Sequence, residues 1–218
     1  MGIRVVVADD QHLVRSGIIA LIRLQPDMEV VGEAENGRVA VRLARELSPH
    51  IVLMDVTMPD LNGIDATRQI CATEPIAPKV IALSGHSDRR FVADVLKAGA
   101  SGYVVKDAAY EELLRAVRAV AAGKVYLSPQ VTGGVVADHR RWVPSAASPE
   151  FATLTARERQ VLQLMAEGKS TKAIAAALSV GKKTVDTHRA NIMAKLNVDS
   201  VAELVKYAIR EGLTSVGD

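Results

Sequence analysis

The sequence predicts an α/β fold: a doubly wound parallel sheet of five βα units, joined by a linker to a small all-helical unit. Three observations carry this. Short β-branched apolar runs alternate with longer helical patterns over the first ~125 residues. A stretch containing Gly-Gly, Arg-Arg and Pro-Ser then breaks that alternation. Beyond it the strand-like runs cease and only helical periodicity remains.

The expected strands are 3–8, 29–34, 51–55, 79–84 and 102–105. Each is short and rich in Val and Ile, as strands buried on both faces are. The expected helices are 12–24, 37–47, 64–73, 88–98 and 109–122. Val39, Leu43 and Leu47 recur at i, i+4 and i+8 and mark an apolar face. Leu113, Leu114, Val117 and Val120 do the same in the last helix. Turn signals at 35–37, 59–63 and 75–78 separate the elements, and Gly99 suits a helix C′ position. Successive βα units put helices on both faces of the sheet.

Ser128-Pro129 reads as the start of a short helix, with Ser as N-cap and Pro in the first turn. Gly133-Gly134, Arg140-Arg141 and the run 144–149 read as linker. Four helices follow at 155–167, 170–178, 182–196 and 200–212. The expected limits are 3–125 for the first domain, 126–149 for the linker and 150–215 for the second domain.

Composition narrows the function. The 218 residues are 49% hydrophobic and 24% charged, which excludes a disordered chain. Cys71 is the only cysteine, so a disulfide framework and a cysteine-based zinc site are excluded. The longest apolar runs fall far short of the ~18 residues of a membrane span. The first residues have no signal-peptide shape, so a cytoplasmic location without membrane contact is expected. Aromatics at 3% are too few for a platform that stacks single-stranded bases. Charge is uneven. Residues 1–130 hold 15 Lys/Arg against 16 Asp/Glu, whereas residues 131–218 hold 12 against 9. Within 169–195, Lys169, Lys172, Lys182, Lys183, Arg189 and Lys195 face a single acid, Asp186. Such a segment suits an anionic partner.

In an open parallel sheet, ligands bind beyond the carboxyl ends of the strands. Strand one ends in Asp9-Asp10, strand three in Asp55, strand four in Ser84, and Lys106 follows strand five. Taken singly, such an acid is an ordinary helix cap and such a lysine is solvated. Brought to one edge, three carboxylates repel one another and need a cation. An oxygen-only donor set suits Mg²⁺ better than zinc. A metal-bound phosphoryl group would explain Lys106 as its counter-charge and Ser84 as its hydrogen-bond donor. No His or Cys nucleophile accompanies the set, so Asp55 is the candidate acceptor, through an aspartyl-phosphate. The turn Asp9-Asp10-Gln11-His12 has no Gly-rich phosphate loop, which argues against a nucleotide site. His12 reads as a helix-start residue.

At these residues the first domain resembles a response-regulator receiver domain of the CheY-like kind. The carrying residues are Asp9-Asp10, the run 54–59 with Gly63, Ser84, and Tyr103 before Lys106. The resemblance implies that Asp55 takes its phosphoryl group from the phosphohistidine of a sensor histidine kinase. It implies that Asp10, Asp55 and the backbone carbonyl of Thr57 hold Mg²⁺, with Asp9 acting mostly through water. It makes Tyr103 the switch aromatic that follows Ser84 inward. Asp107 stands where many receivers have proline.

Residues 170–195 read as helix–turn–helix. Ser170 caps a helix to Leu178, 179–181 form a tight turn, and a second helix runs over 182–196. Val185, Ile192 and Leu196 share its inward face, with Lys183, Asp186, Thr187 and Ala190 opposite. That slim polar face fits a major groove, with Lys182, Lys183 and Arg189 near phosphates. His188 beside the packing face reads as half-buried.

The second domain resembles the LuxR-type DNA-binding domain. The resemblance is carried by residues 154–158, Lys172 with Ile174-Ala175, Thr184 to Arg189 with Asn191-Ile192, and Lys195-Leu196. It implies DNA contacts from Lys172, Lys182, Lys183, Thr184, Asp186, Thr187, Arg189 and Asn191. Gly181 stands where the family often has Ser. Asp186, where relatives often have Lys, either accepts from a cytosine amino group or complements the helix dipole. The apolar stripe of Val201, Leu204, Val205 and Ala208 either pairs two DNA-bound domains, as in the family, or only closes its own core.

The arrangement is that of the NarL/FixJ-like response regulators. It implies a phosphorylation-controlled transcription factor, not an enzyme, that binds double-stranded promoter DNA and dimerises when phosphorylated. Two rivals remain at this level. A metal-dependent phosphohydrolase with an Asp nucleophile usually has a second Asp two residues on, where this chain has Thr57. An adaptor would use the helical unit to bind protein.

Overall fold

The computed structural model describes residues 2–72, 77–85, 89–132 and 149–214. The chain forms two compact units, Met1–Ala146 and Ala147–Asp218. The first is a six-stranded sheet of order β2-β1-β3-β4-β5-β6, with every neighbouring pair parallel. Its strands are β1 (Ile3–Ala8), β2 (Met28–Ala34), β3 (Ile51–Asp55), β4 (Lys79–Ser84), β5 (Gly102–Val105) and β6 (Tyr126–Leu127). Its helices are α1 (His12–Arg23), α2 (Gly37–Leu47), α3 (Gly63–Cys71), α4 (Arg89–Lys97) and α5 (Tyr110–Ala121). The five expected βα units are all present.

Alternation along the strands sorts the core into two faces. Val5, Val7, Leu53, Ile81 and Leu83 meet Ile18, Ile19 and Ile22 of α1 and Leu113, Leu114, Val117 and Val120 of α5. Val6, Ala8, Val52, Met54 and Val80 meet Ala40, Val41 and Ala44 of α2 and Ala66 and Ile70 of α3. The expected face of α2 lies at the margin: Val39, Leu43 and Leu47 are only partly buried. The alanines let α2 approach the sheet closely, so the stripe of larger residues is turned toward its edge. Gly99 takes the expected left-handed conformation, φ 106°. Residues 75–76 of an expected turn and Asp88 of an expected helix lie outside the described residues, as do the linker motifs at 133–134, 140–141 and 144–148.

The expected linker does not start at residue 126. Tyr126 and Leu127 pair with Gly102 and Tyr103 as a sixth strand, too short for periodicity to show. Residues 129–132 then form a helical turn. Ser128 does not cap it with its side chain. Its carbonyl accepts from Val131 and Thr132, while its hydroxyl is engaged with the sheet and α5.

The second unit is all-helical: α6 (Pro149–Ala152), α7 (Ala156–Ala166), α8 (Thr171–Ala177), α9 (Lys182–Leu196) and α10 (Val201–Arg210). The short α6 was not expected, since four residues carry no periodic signal. Val161, Leu162, Leu164, Ile174, Val185, Ile192, Leu196, Leu204 and Ala208 form its core. Hydroxyl caps start three of these helices. Thr155, Ser170 and Ser200 accept from the amides of Glu158, Ala173 and Glu203. Gly181 starts α9 without a side-chain cap. In the α10 stripe, Leu204 and Ala208 are buried in this core, Val205 is half-buried and Val201 is exposed.

Candidate functional site

Register brings the chemical residues to one edge. Ala8 pairs with Met54, Asp55 with Leu83, and Ser84 with Val105. Asp9, Asp55, Ser84 and Lys106 therefore follow or end neighbouring strands at the same level. The chain order reverses between β1 and β3, which is the switch point where such sheets bind ligands. Asp9, Asp10 and Asp55 each offer a carboxylate oxygen, all within 4.8 Å of one another. Asp9 and Asp55 are buried, while Asp10 is exposed. Lys106 Nζ lies 2.8 Å from Asp9 Oδ2 and 2.9 Å from Asp55 Oδ2.

Backbone contacts aim these groups. Thr57 N–H donates to Asp55 Oδ1 at 3.3 Å, leaving Oδ2 to Lys106. Val56 N–H donates to the Leu83 carbonyl at 3.0 Å, and Gly63 N–H to the Val56 carbonyl at 2.8 Å. A Cβ on Gly63 would fall 1.9 Å from the Asp55 carbonyl oxygen, so the loop after Asp55 closes only over glycine. Gln11 N–H donates to Asp9 Oδ1 at 2.9 Å, and the Arg15 guanidinium holds the Asp9 carbonyl at 2.6 Å. Lys106 N–H donates to the Ser84 carbonyl at 2.8 Å, tying the ends of β4 and β5. Ser84 is 2% exposed and Tyr103 0%. Tyr103 belongs to one apolar cluster with Ala82, Val92, Val95 and Val105. His12 is the exposed first residue of α1, as expected.

Burial pushes the Asp55 carboxyl up to about 7; Lys106 pulls against that, and Asp9 adds to it. Lys106 itself is raised: burial opposes its charge, but Asp55 and Asp9 outweigh it. Two buried acids thus share one ammonium, and Asp9 Oδ2 meets that ammonium without the alignment of a hydrogen bond. An under-satisfied buried oxygen within an all-oxygen donor set fits a hard divalent cation such as Mg²⁺.

In the second unit, Lys172, Lys182, Lys183, Thr184, Asp186, Thr187, Arg189 and Asn191 are all exposed, and His188 is half-buried. Thr187 donates its hydroxyl to the Lys183 carbonyl at 2.9 Å. Val185, Ile192 and Leu196 face inward. Lys195 is engaged within the fold. Its ammonium sits 2.7 Å from Glu158, whose carboxylate also accepts from Thr155 N–H at 2.8 Å. Sequence reasoning missed this clamp, although Thr155 followed three residues on by Glu158 is a capping-box pattern. It also missed Arg15, for which no sequence signal exists, and the backbone role of Gly63.

Comparison with known proteins agrees with this geometry. Residues 5–118 match the response regulator receiver domain, and residues 152–208 match the luxR family of bacterial regulatory proteins. The chain is 38% identical over 227 residues to the transcriptional regulatory protein DegU of Brevibacillus brevis, covering 98% of this chain and 96% of that one. It is 42% identical over 213 residues to the transcriptional regulatory protein LiaR of Bacillus subtilis (strain 168), covering 98% and 100%. It is also similar to the solved complex of the response regulator RcsB with DNA, with TM-score 0.59 and 26% identity over 95% of this chain and 98% of that one. With an acidic, lysine-bridged pocket in one unit and a cationic helix–turn–helix in the other, the chain belongs to the two-component response regulators that join a receiver domain to a LuxR-family DNA-binding domain, and it is a transcriptional regulator.

Proposed function

We propose that Asp55 is the phosphoryl acceptor and that α9 is the helix that reads DNA. A carboxylate oxygen of Asp55 attacks the phosphorus of a sensor kinase's phosphohistidine. The P–N bond breaks, the histidine leaves, and an acyl phosphate remains on Asp55. The observation that carries this is the Lys106 ammonium bridging Asp9 and Asp55 beside Asp10. Asp10, Asp55 and the Thr57 carbonyl would hold Mg²⁺, with Asp9 acting through water; the ion supplies charge neutralisation for the incoming phosphoryl oxygens. Lys106 balances the added charge. Ser84 donates its hydroxyl to a phosphoryl oxygen, and Tyr103 adjusts its packing in response. Phosphorylation thereby biases a two-state equilibrium of the receiver.

In the second unit, Asp186 and Thr187 face base edges, with Thr184 and Asn191 beside them, and Lys183 reaches a phosphate from the same face. Lys172, Lys182 and Arg189 reach phosphates. Two phosphorylated copies bound to two half-sites gain affinity from effective concentration. The setting is cytoplasmic. In this reading the receiver runs past the expected limit of 125 to residue 132, whose segment packs on the sheet, and the second domain spans 150–215. The test is labelling by acetyl phosphate. Wild type incorporates one phosphoryl group, and Asp55→Ala incorporates none. Full labelling of Asp55→Ala would overturn the assignment.

A further inference from the structure

Ser128 is wholly buried, and it is engaged on two sides. Its Oγ accepts from Val105 N–H at 3.2 Å and donates to the buried carboxylate of Glu112 on α5. Its own N–H donates to the Tyr103 carbonyl at 2.9 Å. One residue therefore grips both ends of Tyr103–Val105, the stretch immediately before Lys106. The opposite edge of β5 is held by β4, where Ser84 pairs with Val105 and accepts from Lys106 N–H. Three residues beyond Ser128, Val131 is 4% exposed and lies in the same apolar cluster as Tyr103, Val92 and Val95. The Thr132 hydroxyl closes the turn on the Ser128 carbonyl at 3.0 Å.

A surface tether needs none of this. A buried hydroxyl that bridges a strand amide and a helix carboxylate is unfavourable to leave half-satisfied, so a displaced segment would give up these partners together. We infer that residues 126–132 are a coupling clip: Ser128 and Val131 seat the start of the tether on the strand that carries Tyr103 and Lys106, and phosphorylation of Asp55 releases it. This rests on Asp55 being the acceptor. When Lys106 turns from Asp9 and Asp55 toward an added phosphoryl group, the end of β5 moves with it. Val105 and Tyr103 are the partners Ser128 then loses. Ser128 touches no reacting group and is a positioning residue that acts through those two.

The test is hydrogen exchange read by mass spectrometry on the full chain, in Mg²⁺, with and without beryllofluoride as the phosphoryl mimic. In wild type, the peptide covering 126–132 exchanges roughly fivefold faster once loaded, the rate equivalent of losing about one net hydrogen bond. In Ser128→Ala it exchanges fast in both states, so the response to loading vanishes. Ser128→Thr, which keeps the hydroxyl, restores the response. A merely structural serine would lower stability in both states and leave the loaded-to-unloaded ratio intact. Should Ser128→Ala not fold, Val131→Ala removes the packing but not the hydrogen bonds, and shrinks the ratio. Exchange in 126–132 that is unchanged or slower on loading, while 102–106 responds, overturns the clip, as does a wild-type ratio in Ser128→Ala. If neither segment responds and acetyl phosphate leaves Asp55 unlabelled, the acceptor assignment itself fails and takes the clip's trigger with it.

Discussion

Asp55 sits where its own charge is unwelcome. It is 4% exposed, Asp9 lies beside it, and one ammonium serves both acids. Its carboxyl is pushed up to about 7 from an ordinary value near 3.8. Without a divalent cation the folded protein therefore holds a proton that the unfolded chain releases. This contribution to stability is full below about pH 4 and is lost as pH rises through 7. Asp55→Asn removes the penalty and stabilises the cation-free protein at pH 8 by on the order of 2 kcal/mol. Urea unfolding with and without Mg²⁺ checks this: a variant no more stable than wild type in the absence of the ion would contradict it. The residues that carry charge chemistry were legible in the sequence, because they end strands whose apolar runs are plain. Arg15 was not, because a guanidinium reaching a carbonyl six residues back depends on the turn between β1 and α1.

At the scale of single elements, the start of α7 and the end of α9 are fixed to each other. Thr155 and Glu158 cap reciprocally, and Lys195 lands on Glu158 and on the Thr153 carbonyl. Although burial opposes its charge, hydrogen bonds from Lys195 and Thr155 hold the Glu158 carboxyl below its ordinary range. A lowered acid stabilises the unit above about pH 4.5, and that support is lost as pH falls through the depressed value. Thr155→Ala should destabilise the second unit by about 1 kcal/mol. Thermal unfolding near pH 7 and pH 4 checks both points; equal effects at the two pH values would refute the linkage. On α9, Lys183→Ala should weaken DNA binding for every sequence and flatten its salt dependence by about one unit. An unchanged slope would remove Lys183 from the phosphate contacts. Long periodic elements were read closely from sequence. β6 and α6 were not, since two and four residues cannot display a period. The pairing of β6 depends on β5 presenting a free edge, which is a property of the assembled sheet.

For the whole molecule, the division of labour follows charge. The receiver stretch carries nearly balanced charge, with three of its acids gathered at one sheet edge, whereas six cations against one acid mark residues 169–195. One of those six, Lys195, is used inside the fold, while Lys172, Lys182, Lys183 and Arg189 are exposed and suit an anionic partner. Such a face alone binds any duplex through phosphates, so control must come from the receiver. The most direct measurement is affinity for duplex DNA selected by the chain from a random pool, at fixed salt, before and after acetyl phosphate treatment. The full chain should bind about tenfold tighter once phosphorylated, with Asp55→Ala unmoved. Equal affinity of phosphorylated and unphosphorylated wild type would contradict the account.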